Sequence, residues 1–293
     1  MRISDNMRFD TVQQSLGALR SRQAQLTAQV SSGSKVGAPS DDPVAAARLT
    51  RISAQSARTA DYRATIDSVR TDLQLSEGGL AQASDLMVRA KELALQGANG
   101  SLTGDDRKML ATEVATLQAQ FLSSANARGS RGYLFSGNRT DTAALSATGG
   151  YQGDAAEHEV EISPGVTTAV SVTGAEAFTT AGGVDAFATL SALRQALESD
   201  DAKGVAATLG NIEASRSQIV RVQAKTGLIM NRLDSADEAL SVTALELDRR
   251  RSEIGDVDPF SAMSELTQLS TTLQQAIAVA RNTLNSNSNS SLF

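Results

Sequence analysis

Apolar residues recur every three or four positions over most of this chain. Near the N-terminus Val12, Leu16, Leu19, Gln23, Leu26 and Val30 fall on one stripe; near the C-terminus Leu266, Leu269, Leu273, Ile277, Ala280 and Leu284 do the same. Such spacing places side chains on one helical face, at the positions that pack into a neighbouring helix. The same period runs from Arg48 through Ile52, Gln55, Thr59, Tyr62, Ile66, Val69, Leu73, Ser76, Leu80, Ala83, Met87 and Ala90 to Ala94. It returns from Ile219 through Val222, Thr226, Ile229, Leu233, Ala236, Leu240, Thr243, Leu247 and Arg250 to Ile254. A shorter helix is predicted on Leu110, Val114, Leu117 and Phe121.

Local chemistry sets the boundaries. The first helix is predicted over about Asp10 to Ser31, stopped by Ser31-Ser32-Gly33-Ser34, since Gly and Ser favour caps and turns. Ser40-Asp41-Asp42-Pro43 reads as a helix start: Asp supplies the N-cap oxygen, and proline fits the first turn, where its missing N–H has no helical partner. Gly78-Gly79 is predicted to bend or weaken the long second helix, not to end it, because the apolar phase is the same on both sides. Thr103-Gly104-Asp105-Asp106 opens a third helix, and Asp256-Val257-Asp258-Pro259 breaks and restarts the chain before the last. Between them the pattern changes. Arg131 to Gly137 reads as a short strand, and His158–Ile162 and Val166–Val172 alternate around a Pro164-Gly165 turn. Helical pattern resumes over Val184 to Glu198.

The predicted fold is mainly α with a small β-rich insertion, a long antiparallel helical rod with the N- and C-terminal helices paired. Residues 1–40 and 256–293 form a terminal helical domain, 41–137 and 188–255 a helical rod, and 138–187 a small β-rich outer domain. At ~1.5 Å per residue, an arm of about 50 residues reaches roughly 75 Å.

Charge sharpens the reading of the ends. From Phe260 to Phe293 the only charged residues are Glu265 and Arg281, whereas a solvated helix carries many more on its outer face. The terminal seams are therefore expected to be covered by other protein, and to be mobile until neighbours bury them. Aromatic residues are only 3% and Trp is absent, which suits helix bundles built from Leu, Ile, Val and Ala. The net charge of −6 argues against a nucleic-acid binder. No apolar stretch reaches the length of a membrane span, and the start MRISDNMRFD has no apolar core of a cleavable signal peptide.

Candidate chemistry is sparse. There is no cysteine, and His158, the single histidine, lies between Glu157 and Glu159 in a strand-like stretch; zinc sites need more ligands than this. Ser32 to Lys35 has the S-x-x-K spacing of some acyl enzymes without their companion motifs, and G-x-S-x-G is absent. Asp256 and Asp258 read as capping residues. Arg249-Arg250-Arg251 reads as a solvated helix face. No catalytic, cofactor or metal site is expected.

Several segments resemble the flagellin superfamily of bacterial flagellar axial proteins, and within it the hook–filament junction subfamily. Met1-Arg2-Ile3-Ser4 and SSGSKVGAPSDDPVAAARL, from Ser31 to Leu49, carry that likeness through Ser31, Ser32, Gly33, Asp41, Asp42 and Pro43. Flagellins proper are similar but usually have Asp-Asp-Ala-Ala-Gly where this chain has Asp41-Asp42-Pro43-Val44-Ala45. Glu77-Gly78-Gly79-Leu80, Lys91 to Gln96, Tyr133 to Gly137 and Asp256-Val257-Asp258 match further blocks. The resemblance implies a structural, non-enzymatic subunit that joins hook to filament, with filament flagellin as the alternative. It implies self-assembly through Val12, Leu16, Leu19, Leu26, Val30, Leu266, Leu269, Leu273, Ile277 and Leu284. The partners it implies are further copies, a hook-side hook-associated protein, filament flagellin and a cytoplasmic export chaperone on the C-terminal region, with neither nucleic acid nor membrane. It also implies secretion to the flagellum by type III export without signal cleavage.

Overall fold

The structure, a computed structural model, describes residues 2–290, with side-chain surroundings over residues 10–281. The chain is mainly helical, with two small antiparallel sheets. In chain order the elements are α1 (Arg2–Ser32), α2 (Pro43–Gly97), α3 (Gly104–Ala125), β1 (Arg128–Gly129), β2 (Gly132–Tyr133), β3 (Glu159–Ser163), β4 (Val166–Ala169), α4 (Gly174–Phe178), α5 (Ala186–Glu198), α6 (Ala202–Gly255) and α7 (Pro259–Ser290). They form two compact units: a terminal one, Met1–Arg58 with Thr243–Phe293, and a central one, Thr59–Val242. Residues of α2 and α6 contribute to both.

In the central unit the predicted stripe of α2 is the core face. Ile66, Val69, Leu73, Leu80, Ala83, Met87, Ala90 and Ala94 are all buried, as are Ile219, Val222, Ile229, Leu233 and Leu240 of α6. α3 packs on α5 and adds Leu110, Val114 and Phe121 to the same core. Phe121 and Phe135 each meet Phe178 edge-on, with centroids 5.3 and 5.2 Å apart, the arrangement that aromatic quadrupoles favour. Helix α2 runs unbroken through Gly78 and Gly79. Gly78 is open to solvent, but a Cβ on Gly79 would lie 3.3 Å from the Phe135 ring and from the Ser124 carbonyl oxygen. The second glycine therefore permits close approach.

Three expectations need correction. The strand expected over Arg131–Gly137 is reduced to Gly132–Tyr133, paired with Arg128–Gly129; after it Phe135 turns into the core and Gly137 takes φ +68°, which ends an extended run. Helix α1 begins eight residues before the expected Asp10. Stripe positions Arg48, Gln55, Thr243 and Arg250 are exposed, because they lie outside the buried core, which runs from Ile66 of α2 to Leu240 of α6. The β3–β4 hairpin forms around Pro164-Gly165 as expected, with a register shift between Glu161 and Ser163, and the short helix α4 follows it.

Polar contacts, some of them buried, fix the β region to the helices of the central unit. The Asp72 carboxylate in α2 accepts the Ser130 amide at 2.8 Å, the Ser130 hydroxyl at 2.9 Å and Arg131 Nε at 3.3 Å. The Tyr62 hydroxyl donates to Glu161 at 3.1 Å, and Arg232 of α6 donates to the Thr168 hydroxyl at 3.0 Å. Lys225 bridges Glu157 and Glu176, the latter at 2.9 Å. Burial alone would lower the pKa of that ammonium, but the two carboxylates outweigh it and raise it.

Candidate assembly interface

In the terminal unit two linkers pair side by side. Helix α1 ends at Ser32, and Gly33 takes φ +72° in open space, so here glycine serves conformation and not packing. The Val257 amide donates to the Gly33 carbonyl at 2.9 Å, and the Lys35 amide to the Gly255 carbonyl at 2.6 Å. Ser34 and Asp256 thereby form an isolated antiparallel bridge. Gln29 Nε2 donates to the Lys35 carbonyl at 2.9 Å, and the Ser32 hydroxyl accepts the Ser34 amide at 3.3 Å; Ser31 is exposed.

Each linker hands on to a helix through an Asp-Pro pair. Asp42 Oδ1 accepts the amides of Val44 and Ala45 at 3.0 and 2.9 Å, and Pro43 is the first residue of α2. Asp258 Oδ1 accepts the Phe260 amide at 3.0 Å, and Pro259 opens α7. Both supply an N-cap oxygen to orphan amides. Asp41 acts elsewhere, its Oδ2 accepting the Gly37 and Ala38 amides at 3.1 and 2.8 Å and so closing the loop before the cap. Asp256 departs from the capping role expected of it. Its carboxylate accepts the Ser252 hydroxyl at 2.6 Å and its amide donates to the Ser252 carbonyl at 2.9 Å, so it closes the end of α6 and does not cap α7.

Beyond the linkers α1 packs along α7, and Arg22 pairs with Glu265 at 2.7 Å. Both ends of that pair are about half exposed, so it contributes little. The seams carry the contact. Leu26 is 2% exposed. Val12, Leu16, Leu19, Val30, Leu266, Leu269, Leu273 and Ile277 are only half-buried, since two helices cover each seam from one side. The side chain of Leu284 lies outside the described residues. Phe260 is 90% exposed, and Met263 and Val279 are also exposed, so considerable apolar surface is left uncovered.

Among the described residues no group of three His, Asp or Glu side chains could hold a metal ion, and no helix is long and apolar enough to cross a membrane. His158 precedes β3, half-buried, its amide donating to the Ser171 hydroxyl at 2.8 Å. Burial and then the nearby Arg131 charge lower its pKa. Tyr151 is pushed up to about 12 by burial; its hydroxyl donates to the carbonyls of Phe135 and Asp154 at 2.9 and 2.8 Å. Arg249, Arg250 and Arg251 each pair with an acid of their own helix.

Paired helices from the two chain ends, each with a half-covered apolar seam, on a mainly helical chain carrying a small hairpin, define a helical structural protein. Its family is clear. The bacterial flagellin N-terminal helical region matches residues 3–140 and the C-terminal helical region residues 209–289, and the chain belongs to the flagellin superfamily. It is 29% identical to flagellar hook-associated protein 3 of Escherichia coli, over 92% of this chain and 94% of that one. A flagellin of Treponema pallidum is 25% identical over 95% and 94%. The solved structure of a flagellar hook-associated protein from Vibrio parahaemolyticus superposes with TM-score 0.69 at 29% identity, covering 74% of this chain and all of that one.

Proposed function

We propose that this chain is a structural subunit of the bacterial flagellum that joins hook to filament, and that α1 and α7 are its assembly elements. The observation that carries the reading is end-to-end similarity to a hook-associated protein at the lengths of both chains. Asp42-Pro43, in place of the usual flagellin Asp-Ala, supports junction over filament; here the proline is the first residue of α2. Half-covered seams suit segments whose remaining apolar surface is buried by further copies. The partners that follow are a hook-side hook-associated protein, filament flagellin and, before export, a cytoplasmic chaperone on the C-terminal region. Export proceeds through the flagellum's own type III route without signal cleavage.

Deletion of the gene tests the reading. Hooks without filaments, and flagellin lost to the medium, are expected. Motile cells with normal filaments would overturn it, and a copy number in the thousands per cell would favour filament flagellin instead.

A further inference from the structure

The first turns of α2 carry an unusual stripe. Val44, Arg48, Arg51, Gln55 and Arg58 follow one another at steps of four and three and are all exposed. Residues 43–60 contain three arginines and no acid. Neither Arg48 nor Arg58 has an ion-pair or hydrogen-bond partner among the described residues, and Arg51 donates only to the Ala47 carbonyl of its own helix, at 3.3 Å. Within the terminal unit this stripe borders a groove of about 350 Å³, where Arg48, Arg51, Ile52 and Gln55 of α2 face Arg250, Glu253 and Ile254 of α6. The groove thus has an apolar floor of two isoleucines and a cationic rim. Arg250 is already paired with Glu246 at 2.9 Å, so Arg48 supplies uncompensated charge.

We infer that this groove takes an acid-rich surface of a second copy of the chain, within residues 59–242. This rests on the self-assembling role proposed above and names one of its contacts. Charge complementarity selects the occupant: residues 59–242 carry 23 Asp or Glu against 15 Lys or Arg, while the stretch of α2 in the terminal unit is wholly basic. Oppositely charged surfaces on one subunit make a heterologous, head-to-tail contact, which builds a ring where its rotation closes and an open helix where it does not. Arginine suits such a rim, since its planar fork pairs with carboxylates bidentately, and the half-covered isoleucines give the contact an apolar centre.

The test uses flagella purified from cells that produce the full chain with a photo-crosslinking residue, Gln55→p-benzoylphenylalanine. Illumination is expected to give an adduct of two copies whose joined peptide maps within residues 59–242. Adding Arg48→Glu and Arg51→Glu is expected to reduce that adduct at least ten-fold, while Arg48→Lys with Arg51→Lys retains it. An adduct to a different protein, an adduct mapping elsewhere on the chain, no adduct, or one indifferent to the glutamates overturns the inference. Normal filaments with the chain present but no such adduct sink this contact alone; absence of the chain from flagella sinks the junction role and this contact together.

Discussion

Arg107 sits in α3 with a side chain only 6% exposed, and each of its three guanidinium nitrogens has a partner. Nε donates to the Gly97 carbonyl at 2.9 Å and Nη2 to the Asn99 carbonyl at 2.8 Å, while Nη1 meets Asp200, a residue held at φ +59°. One side chain therefore terminates α2 and ties its end to the turn before α6. Arg107→Met should destabilise the chain by about 2–3 kcal/mol, because the buried Gly97 carbonyl and the part-buried Asn99 carbonyl lose a charged donor; the half-exposed Asp200 adds little. Arg107→Lys should not restore it, since an ammonium cannot reproduce the fork. A urea midpoint for each variant decides this. His158 gives a pH prediction. Its folded pKa is lowered by burial and Arg131, so the unfolded chain binds the proton more readily. Stability should therefore fall as pH drops below about 6.5, the ordinary histidine value, and His158→Gln should flatten that part of the profile. What was legible at this scale was local. The Thr103–Asp106 capping box and the Asp42 cap lie within a few residues of their targets. Nothing in the sequence marks out Asp72 or Arg107, because their partners lie on other elements, Ser130 and Asp200 among them, and no spacing rule connects them.

Among elements, α2 shows what a period can and cannot say. Its stripe predicts the buried face from Thr59 to Ala94 almost residue by residue, yet Arg48 and Gln55, in the same phase, are exposed. Periodicity identifies a face; whether something covers it depends on distant chain. The two central glycines make the same distinction. With open space around Gly78, Gly78→Ala should stabilise the helix by about 1 kcal/mol. Gly79→Ala should forfeit that gain, because its Cβ would press on the Phe135 ring and the Ser124 carbonyl at 3.3 Å. Thermal melts of the two single variants separate these outcomes. The hairpin at Pro164-Gly165 was legible from alternation and turn chemistry. The Tyr133–Gly137 segment was not, because its apolar residues serve the core of the central unit and not a ladder.

At the scale of the molecule, the seams decide. Leu16→Glu combined with Leu273→Glu places charges on half-buried positions of α1 and α7, so incorporation into flagella should fall at least ten-fold while the central unit's melting transition stays in place. Limited proteolysis of the dilute full chain should cut within the terminal helices first, since two helices alone cover their seams from one side; ends as resistant as the central unit would count against an assembly role. The pairing of the chain ends and the superfamily were legible in the sequence, through heptads and the linker motifs. The linker bridge was not, since backbone hydrogen bonds leave no trace in side-chain spacing. That bridge also orders events in time. Gly33 and Val257, joined by one amide–carbonyl bond, lie more than two hundred residues apart. Closing so long a loop is entropically costly and slow relative to local helix formation. Whichever end of the chain emerges first must therefore wait, unfinished, for nearly the whole of the rest, and the terminal unit is the last part of the protein to become itself.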